Sequence, residues 1–320
     1  MKGNKRIALI LPHFGKLPNY FQIWLDSASK NDFIDFWIFT DNCKDDYKLY
    51  SNVKWVNMEF TQLKKQISSI LPYEICLDTP YKICDYRPLF GLIFESYIGD
   101  YEFWGHCDPD IIWGNLRKFI NDNILENYEK IYDRGHLILY RNIPKINYMV
   151  LGDIHNSYLN SKLVFQTKYS AHFDESDLLD RYIKNSNLKE YKKVDCADVD
   201  YMYLDFRIVD SERKRVEYNY FKYIDGHIYG ENQNGQKEFA YLHLQKRFMQ
   251  ILDIQDAILI YPNMFVGIQE SYEELNVTDK EKKQYNKIKR KELLMRRINN
   301  VKNGAINFRI RRLAERLRQW

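Results

Sequence analysis

The chain has no apolar run approaching the 18–20 residues that cross a bilayer, so no membrane-spanning helix is expected. Its first apolar stretch, Ile7 to Leu11, is too short for the hydrophobic region of a signal peptide and stops at Pro12. The expectation is a protein that stays in the cytoplasm. Cysteine is scarce: Cys43, Cys76, Cys84, Cys107 and Cys196 are odd in number, and none forms a C-x-x-C pair. That argues against a zinc knuckle and a disulfide framework, and makes buried free thiols the default. Neither G-x-G-x-x-G nor G-x-x-x-x-G-K-[ST] occurs, so dinucleotide and P-loop readings fail.

What is present describes a globular chain. Its 320 residues suffice for one large α/β domain or a domain with an appendage, and 45% are hydrophobic against 29% charged. Aromatics reach 16%, with 26 Tyr, which points to an aromatic-filled core; stacking surfaces for bases and sugars are the alternative. The formal net charge of +4 hides an asymmetry. Residues 278–320 carry 15 Lys/Arg against 4 Asp/Glu, a net +11, leaving 33 against 40, a net −7, for the rest.

The most informative stretch is Tyr101-Glu-Phe-Trp-Gly-His-Cys-Asp108-Pro109-Asp110. Up to Cys107 it is aromatic-rich and almost uncharged, as a strand covered on both faces would be. It then runs into two carboxylates around a proline, whose fixed φ favours a turn able to bring both acids to one cation. A helix is expected next, with Leu116, Phe119, Ile120, Ile124 and Leu125 at helical spacing. Acids at the carboxyl end of a buried strand occupy the usual ligand position of an open α/β sheet. Mg²⁺ or Mn²⁺ on one or two carboxylates commonly takes its other ligands from substrate phosphates. The plain alternative is a surface turn.

An apolar strand leading into D-x-D resembles the metal-binding motif of GT-A glycosyltransferases. The segment Tyr81-Lys-Ile-Cys-Asp85-Tyr-Arg87-Pro-Leu-Phe-Gly-Leu-Ile-Phe94, followed by Phe103-Trp-Gly-His-Cys-Asp108-Pro-Asp110, is similar to a group of bacterial glycosyltransferases from polysaccharide clusters. That likeness spans roughly residues 5–250, and the wider GT-A likeness is specific around residues 81–142. It implies an α/β GT-A fold, with a Rossmann-like mixed, mostly parallel sheet and flanking helices. A catalytic domain over 1–265 would divide into a nucleotide-binding half, 1–110, and an acceptor half, 111–265. A basic amphipathic helical tail, 266–320, would follow. The resemblance also implies Mn²⁺ or Mg²⁺, a nucleotide-sugar donor such as a UDP-sugar, and a glycan or lipid-linked acceptor.

Taken in order, Arg6–Leu11 reads as a first strand that ends in a Gly- and Pro-containing loop, where a mononucleotide-binding unit holds its ligand. Phe21–Ala28 has helical spacing, and Ile34–Phe39 is a second strand ending near Asp41, a candidate for base or ribose with a plain turn as the alternative. Val53–Met58 is a third strand and Phe60–Leu71 a helix. Lys82, Asp85 and Arg87 precede a helix whose early Pro88 suits a first turn, where backbone N–H groups face an anion. The resemblance assigns all three to the donor; capping and solvated cations are the alternative. A Gly-kinked strand over Tyr132–Asn142 carries His136, a candidate sugar contact with a structural histidine as the alternative. Asp174 and Glu175 open a helix, as capping alone would arrange. In inverting GT-A enzymes this position often supplies the base.

Residues 184–238 are weakly patterned and suggest a small antiparallel excursion, and Ile251–Pro262 a last core strand. Between them His243 lies on a short strand, where the resemblance makes it a third metal ligand, with Lys246 or Arg247 to neutralise the diphosphate. In the tail, Ile306, Ile310, Leu313, Leu317 and Trp320 form an apolar stripe among arginines. Such a helix suits the anionic inner face of the cell membrane, or packs on protein. The favoured activity is metal-dependent glycosyl transfer in bacterial surface polysaccharide synthesis. Its rivals are a metal-dependent nucleotide-sugar hydrolase and a nucleic-acid-binding protein using the tail, the latter disfavoured by the acidic body. Inverting and retaining courses both stay open.

Overall fold

In the computed structural model, residues 6–153, 159–209, 214–254, 257–268 and 277–317 are described. Strand β1 (Ile7–His13) lies at the centre of the main sheet, and its side chains alternate between two cores. Ala8 and Ile10 join one apolar cluster while Ile7, Leu9 and Leu11 join the other. A strand covered on both faces reads as an unbroken apolar run, which is why this one was legible. On one side β2 (Ile34–Thr40) and β3 (Val53–Asn57) continue in parallel, and on the other β4 (Phe103–Cys107) is also parallel to β1. After a short β5 (Ile111–Trp113), β6 (Lys130–Arg134) and β7 (Leu137–Arg141) form an antiparallel hairpin whose second strand pairs with β4. Finally β8 (Glu190–Tyr191) lies parallel to β6. The order β3-β2-β1-β4-β7-β6-β8 makes a seven-stranded, mixed and mostly parallel α/β sheet with flanking helices, as expected.

Helix α1 (Phe21–Ser29) buries Phe21, Trp24, Leu25 and Ala28 in one core, a period of i, i+3, i+4, i+7. Helix α2 (Phe60–Ile70) opens where Gln62 accepts from the Glu59 N–H at 2.6 Å, and places Leu63 and Ile67 in the other core. The largest fully buried side chains include Trp24, Trp104, Trp113, Tyr20, Tyr86 and Tyr140, so the aromatic content fills the interior. Cys107 and Cys196 are buried free thiols, whereas Cys43 is exposed.

Three local expectations change. Residues Pro80–Leu89 form a 3-10 run, followed by short helical turns at Phe90–Ile93 and Glu95–Ile98. Pro88 has no N–H to give, which interrupts a continuous α-helix there. The single helix expected after the acids is two turns, Leu116–Phe119 and Asp122–Asn127, the second capped by Asn121. The expected strand over 132–142 is the β6–β7 hairpin.

The weakly patterned region is larger than an excursion. After β9 (Ala197–Asp198), β10 (Phe206–Val209) pairs with β11 (Arg215–Tyr218). A meander of β12 (Tyr220–Ile224), β13 (His227–Asn232) and β14 (Gly235–Phe239) follows. Beyond β15 (Tyr241–His243), strands β16 (Gln250–Leu252), β17 (Ile258–Tyr261) and β18 (Met264–Gly267) complete a six-stranded sheet in the order β14-β13-β12-β17-β18-β16. The 251–262 stretch therefore belongs to this second sheet, over a third apolar cluster containing Phe221, Ile228, Ile260 and Phe265.

Helix α3 (Asp177–Asn185) is capped by Ser176. The basic tail forms α4 (Asp279–Lys302), with a Thr278–Glu281 capping box, and α5 (Ala305–Leu317). Both touch the body: Lys282 Nζ lies 3.0 Å from Asp205, Phe308 packs 5.7 Å from the Tyr169 ring, and Arg312 pairs with Asp177. Leu294, Ile298, Ile306, Ile310, Leu313 and Leu317 remain exposed, and Trp320 falls outside the described residues. No described helix is long and apolar enough to cross a membrane.

Candidate metal centre

The two acids sit in a turn between strands. Asp108 still bonds in register, its N–H donating to the His136 carbonyl at 3.2 Å, and Trp24 Nε1 donates to the Asp108 carbonyl at 3.1 Å. After Pro109 and Asp110 the chain enters β5. Ile111-Ile112-Trp113 is a β-favouring triplet, and it pairs antiparallel with β15 so that Ile111 faces His243. On its other edge β15 runs parallel to β9, with His243 facing Asp198. This double register brings residues 110, 198 and 243 together. Asp108, Asp110 and His243 present ligand atoms that all lie within 4.8 Å of one another. His243 Nε2 is 3.3 Å from Asp110 Oδ1 and 3.7 Å from Asp108 Oδ2.

Asp110 is 1% exposed, and its two oxygens are treated differently. Oδ2 accepts the Lys246 N–H at 2.5 Å, while Oδ1 has no hydrogen-bond partner among the described residues. That oxygen faces His243 Nε2 at 3.3 Å, and a divalent cation held by both groups would take the place of the imidazole proton. Gln245 and Lys246 have φ of +55° and +56°, the left-handed region that side chains avoid, and this strained turn aims the Lys246 N–H inward.

His243 Nδ1 lies 2.8 Å from Asp198 Oδ1, which leaves Nε2 toward the acids. A carboxylate behind a ligating imidazole fixes its tautomer and orientation. Burial pushes the His243 pKa down, but Asp110 and Asp198 outweigh it and hold it up at about 10. Burial likewise pushes Asp110 up, yet His243 and Lys246 hold it down at about 2. Asp108 is also held low, with Arg87 overcoming its burial. The acids are thus built to face positive charge, and hard oxygen ligands with one imidazole suit Mn²⁺ or Mg²⁺.

Asp198 was not among the expected site residues. It also accepts from Gln245 Nε2 at 2.7 Å, and its second oxygen lies 3.3 Å from Arg134 and 3.7 Å from His136 Nε2. His136, expected near a sugar, is 5% exposed and sits behind His243, its Nδ1 2.9 Å from the Tyr241 hydroxyl.

The remaining expected residues divide. Arg87 reaches the centre, but its guanidinium is committed: one nitrogen donates to Asp174 and to the Gly135 carbonyl, both at 2.7 Å, and the other pairs with Asp108. Asp174 is thereby tied to the Asp108–Asp110 turn, and burial raises its pKa to about 7 against the pull of Arg87. Glu175 accepts the Gly135 N–H at 2.6 Å. Lys82 and Asp85 form a buried ion pair of 2.7 Å. Lys82 also donates to the carbonyls of Val164 and Tyr169, and Asp85 accepts from the N–H groups of Ala171 and Phe173. Their polar atoms are spent on the chain, which gives this pair a structural role in place of a donor contact. Arg247 is 4% exposed and donates to backbone carbonyls at Tyr203 and Pro262, which removes it as a diphosphate contact. Lys246 keeps its ammonium 4.8 Å over the exposed Tyr81 ring. Asp41, at the end of β2, accepts the Gly15 N–H at 2.9 Å, beside the loop after β1.

Two other features do not compete with this centre. Cys84, His172 and Asp174 also approach one another within 4.8 Å. Burial pushes the Cys84 thiol far up and Arg87 already claims Asp174, so the group is poorly suited to a cation. A cavity of about 730 Å³ lined by Arg6, Glu102, Arg141 and Lys145 lies at the amino ends of β1 and β4, the opposite edge of the sheet.

Among solved structures, the chain is similar to the galactosyltransferase LgtC in complex with donor and acceptor sugar analogs. The identity is 12% over 60% of this chain and 75% of that one, with a TM-score of 0.32. An active-site mutant of LgtC matches at 11% identity over 60% and 74%, with a TM-score of 0.33. No curated protein matches the chain in sequence. A family model does, across residues 9–276: the chain belongs to DUF6625, a family of unknown function.

Proposed function

We propose that this protein is a metal-dependent glycosyltransferase, moving a sugar from a nucleotide-sugar to a glycan or lipid-linked acceptor. One observation carries the reading: Asp108, Asp110 and His243 converge at the carboxyl end of β4, with Asp198 holding the imidazole so that its Nε2 faces both acids. That corner is where open α/β sheets bind their ligands. Asp108, Asp110 and His243 would hold Mn²⁺ or Mg²⁺, which in such enzymes offsets the charge of a departing diphosphate. Asp41 and the loop after β1 would take the nucleoside, UDP being the expected one, and Lys246 would face the phosphates.

Asp174, or Glu175, would receive the acceptor proton if the reaction inverts configuration; a retaining course needs no such base. The tail adds a location. Its exposed apolar side chains among a net +11 of charge suit an anionic membrane surface, which in turn suits a lipid-linked acceptor of bacterial surface polysaccharide synthesis.

The test is Asp110→Asn assayed against a panel of nucleotide-sugars with Mn²⁺. Loss of several kcal/mol of charge stabilisation corresponds to a fall of about 100-fold or more in turnover, with the fold intact by circular dichroism. Undiminished activity would sink the proposal. Product analysis with and without acceptor separates transfer from hydrolysis.

A further inference from the structure

The donor phosphates need more positive charge than the expected residues leave free. Two carboxylates and a divalent ion balance, so a nucleoside diphosphate bearing about two negative charges must find its counter-charges elsewhere. Arg87 is consumed by Asp108 and Asp174, Lys82 by Asp85, and Arg247 by backbone carbonyls. Of those cations only Lys246 stays uncommitted, its ammonium resting on Tyr81.

Helix α4 delivers a second one. Lys282, Tyr285, Lys289 and Arg296 stand at i, i+3, i+7 and i+14, on one face of the helix. The first two fasten that face to the body, Lys282 to Asp205 at 3.0 Å and Tyr285 through its hydroxyl to the Tyr201 carbonyl at 3.2 Å. Arg296, further along the same face, donates to the Tyr201 hydroxyl at 2.9 Å and lies near enough to Tyr81 to oppose the upward push of burial on that hydroxyl. The ring of Tyr81 is 45% exposed, and Lys246, whose own N–H holds Asp110, lies over it. Lys246 thus rests on Tyr81 and Arg296 on the Tyr201 ring at 5.4 Å, with Arg296 also within electrostatic reach of Tyr81, and neither cation pairs with a carboxylate among the described residues.

We propose that Arg296 binds the donor diphosphate together with Lys246, so that the basic helix forms one wall of the donor site. This rests on the glycosyltransferase reading of the Asp108–Asp110–His243 centre. An arginine is apt here because its planar fork can meet two phosphate oxygens at once. The membrane expectation concerned the apolar stripe that begins at Ile306; this assigns a face of the preceding helix α4 to the active site and leaves that stripe to its own role.

The experiment is calorimetric titration of the full chain, in Mn²⁺, with pyrophosphate and with UDP. Arg296→Ala should weaken both by about 10- to 100-fold, the worth of a hydrogen bond to a charged group. Arg296→Lys should restore part of the loss, Arg297→Ala should bind like the parent, and the unliganded melting temperature should not move. Parent-like binding by Arg296→Ala, or an equal loss in Arg297→Ala, overturns the assignment while leaving the metal centre standing. If Asp110→Asn binds like the parent and Arg296→Ala does not, the anion site stands and the metal reading falls. Failure of the parent protein to bind either ligand overturns both.

Discussion

Asp198 and His243 face each other across the parallel β9–β15 pairing, carboxylate oxygen to Nδ1 at 2.8 Å, although 45 residues separate them in the chain. The contact settles which imidazole nitrogen is left for the acids of the β4–β5 turn. Asp198→Asn keeps the shape but weakens this hold on the tautomer. The expected outcome is a 10- to 100-fold loss of Mn²⁺ affinity, about the usual cost of removing such a partner. Titration of Mn²⁺ by calorimetry or electron paramagnetic resonance checks it, and an affinity within twofold of the parent would speak against the arrangement.

The cation should stabilise the folded protein, because only the folded chain brings Asp108, Asp110 and His243 together. At a hundredfold excess over Kd, a ligand that binds only the native state adds about 2.7 kcal/mol, or roughly 5 °C for a chain of this size. Differential scanning fluorimetry with and without Mn²⁺ should show the rise in the parent and none in His243→Ala.

Lys82 offers a contrast between structural and ligand roles. Its side chain is 3% exposed and bonded to Asp85 and two carbonyls. Lys82→Met leaves Asp85 buried without its cation, which should cost about 3–5 kcal/mol in a urea melt. Material that still folds should show an unchanged KM for donor. A large KM effect at unaltered stability would return Lys82 to the donor site.

The tail should bind anionic surfaces. Vesicles of phosphatidylglycerol and phosphatidylcholine should float with the full protein at low salt, and pure phosphatidylcholine should not. Each cation near an anionic surface adds about 1 kcal/mol, so replacing Arg309 and Arg311 by Gln should weaken the binding by about 30-fold, with Arg312 left to its pairing with Asp177. Equal flotation on neutral vesicles would point to apolar adhesion alone.

How far these features could be read from residue order varies with the range of the interactions behind them. Strands β1 and β2 and helix α1 were legible because both sheet faces are covered, leaving unbroken apolar runs and a clean helical period. The acids at 108 and 110 were legible for the same reason: the strand before them announces its end. Strand β5 was hidden, since three apolar residues running toward a helically spaced stretch carry no period of their own. Asp198 was invisible because its partner is reached only through the register of β15, and no local pattern marks it. The second sheet was partly visible, for Tyr220–Ile224 alternates half-buried and buried positions, but its strands are short and interleaved with polar turns.

The Lys246 N–H reaches Asp110 across 136 residues, from the turn that follows the strand carrying His243. A nascent chain that has not yet laid β15 beside β5 owns two acids and no imidazole, and can hold an ion only loosely. On the proposed reading, tight cation uptake would report completed folding. A one-residue slip of β15 against β5 would turn His243 away from the face that meets the acids.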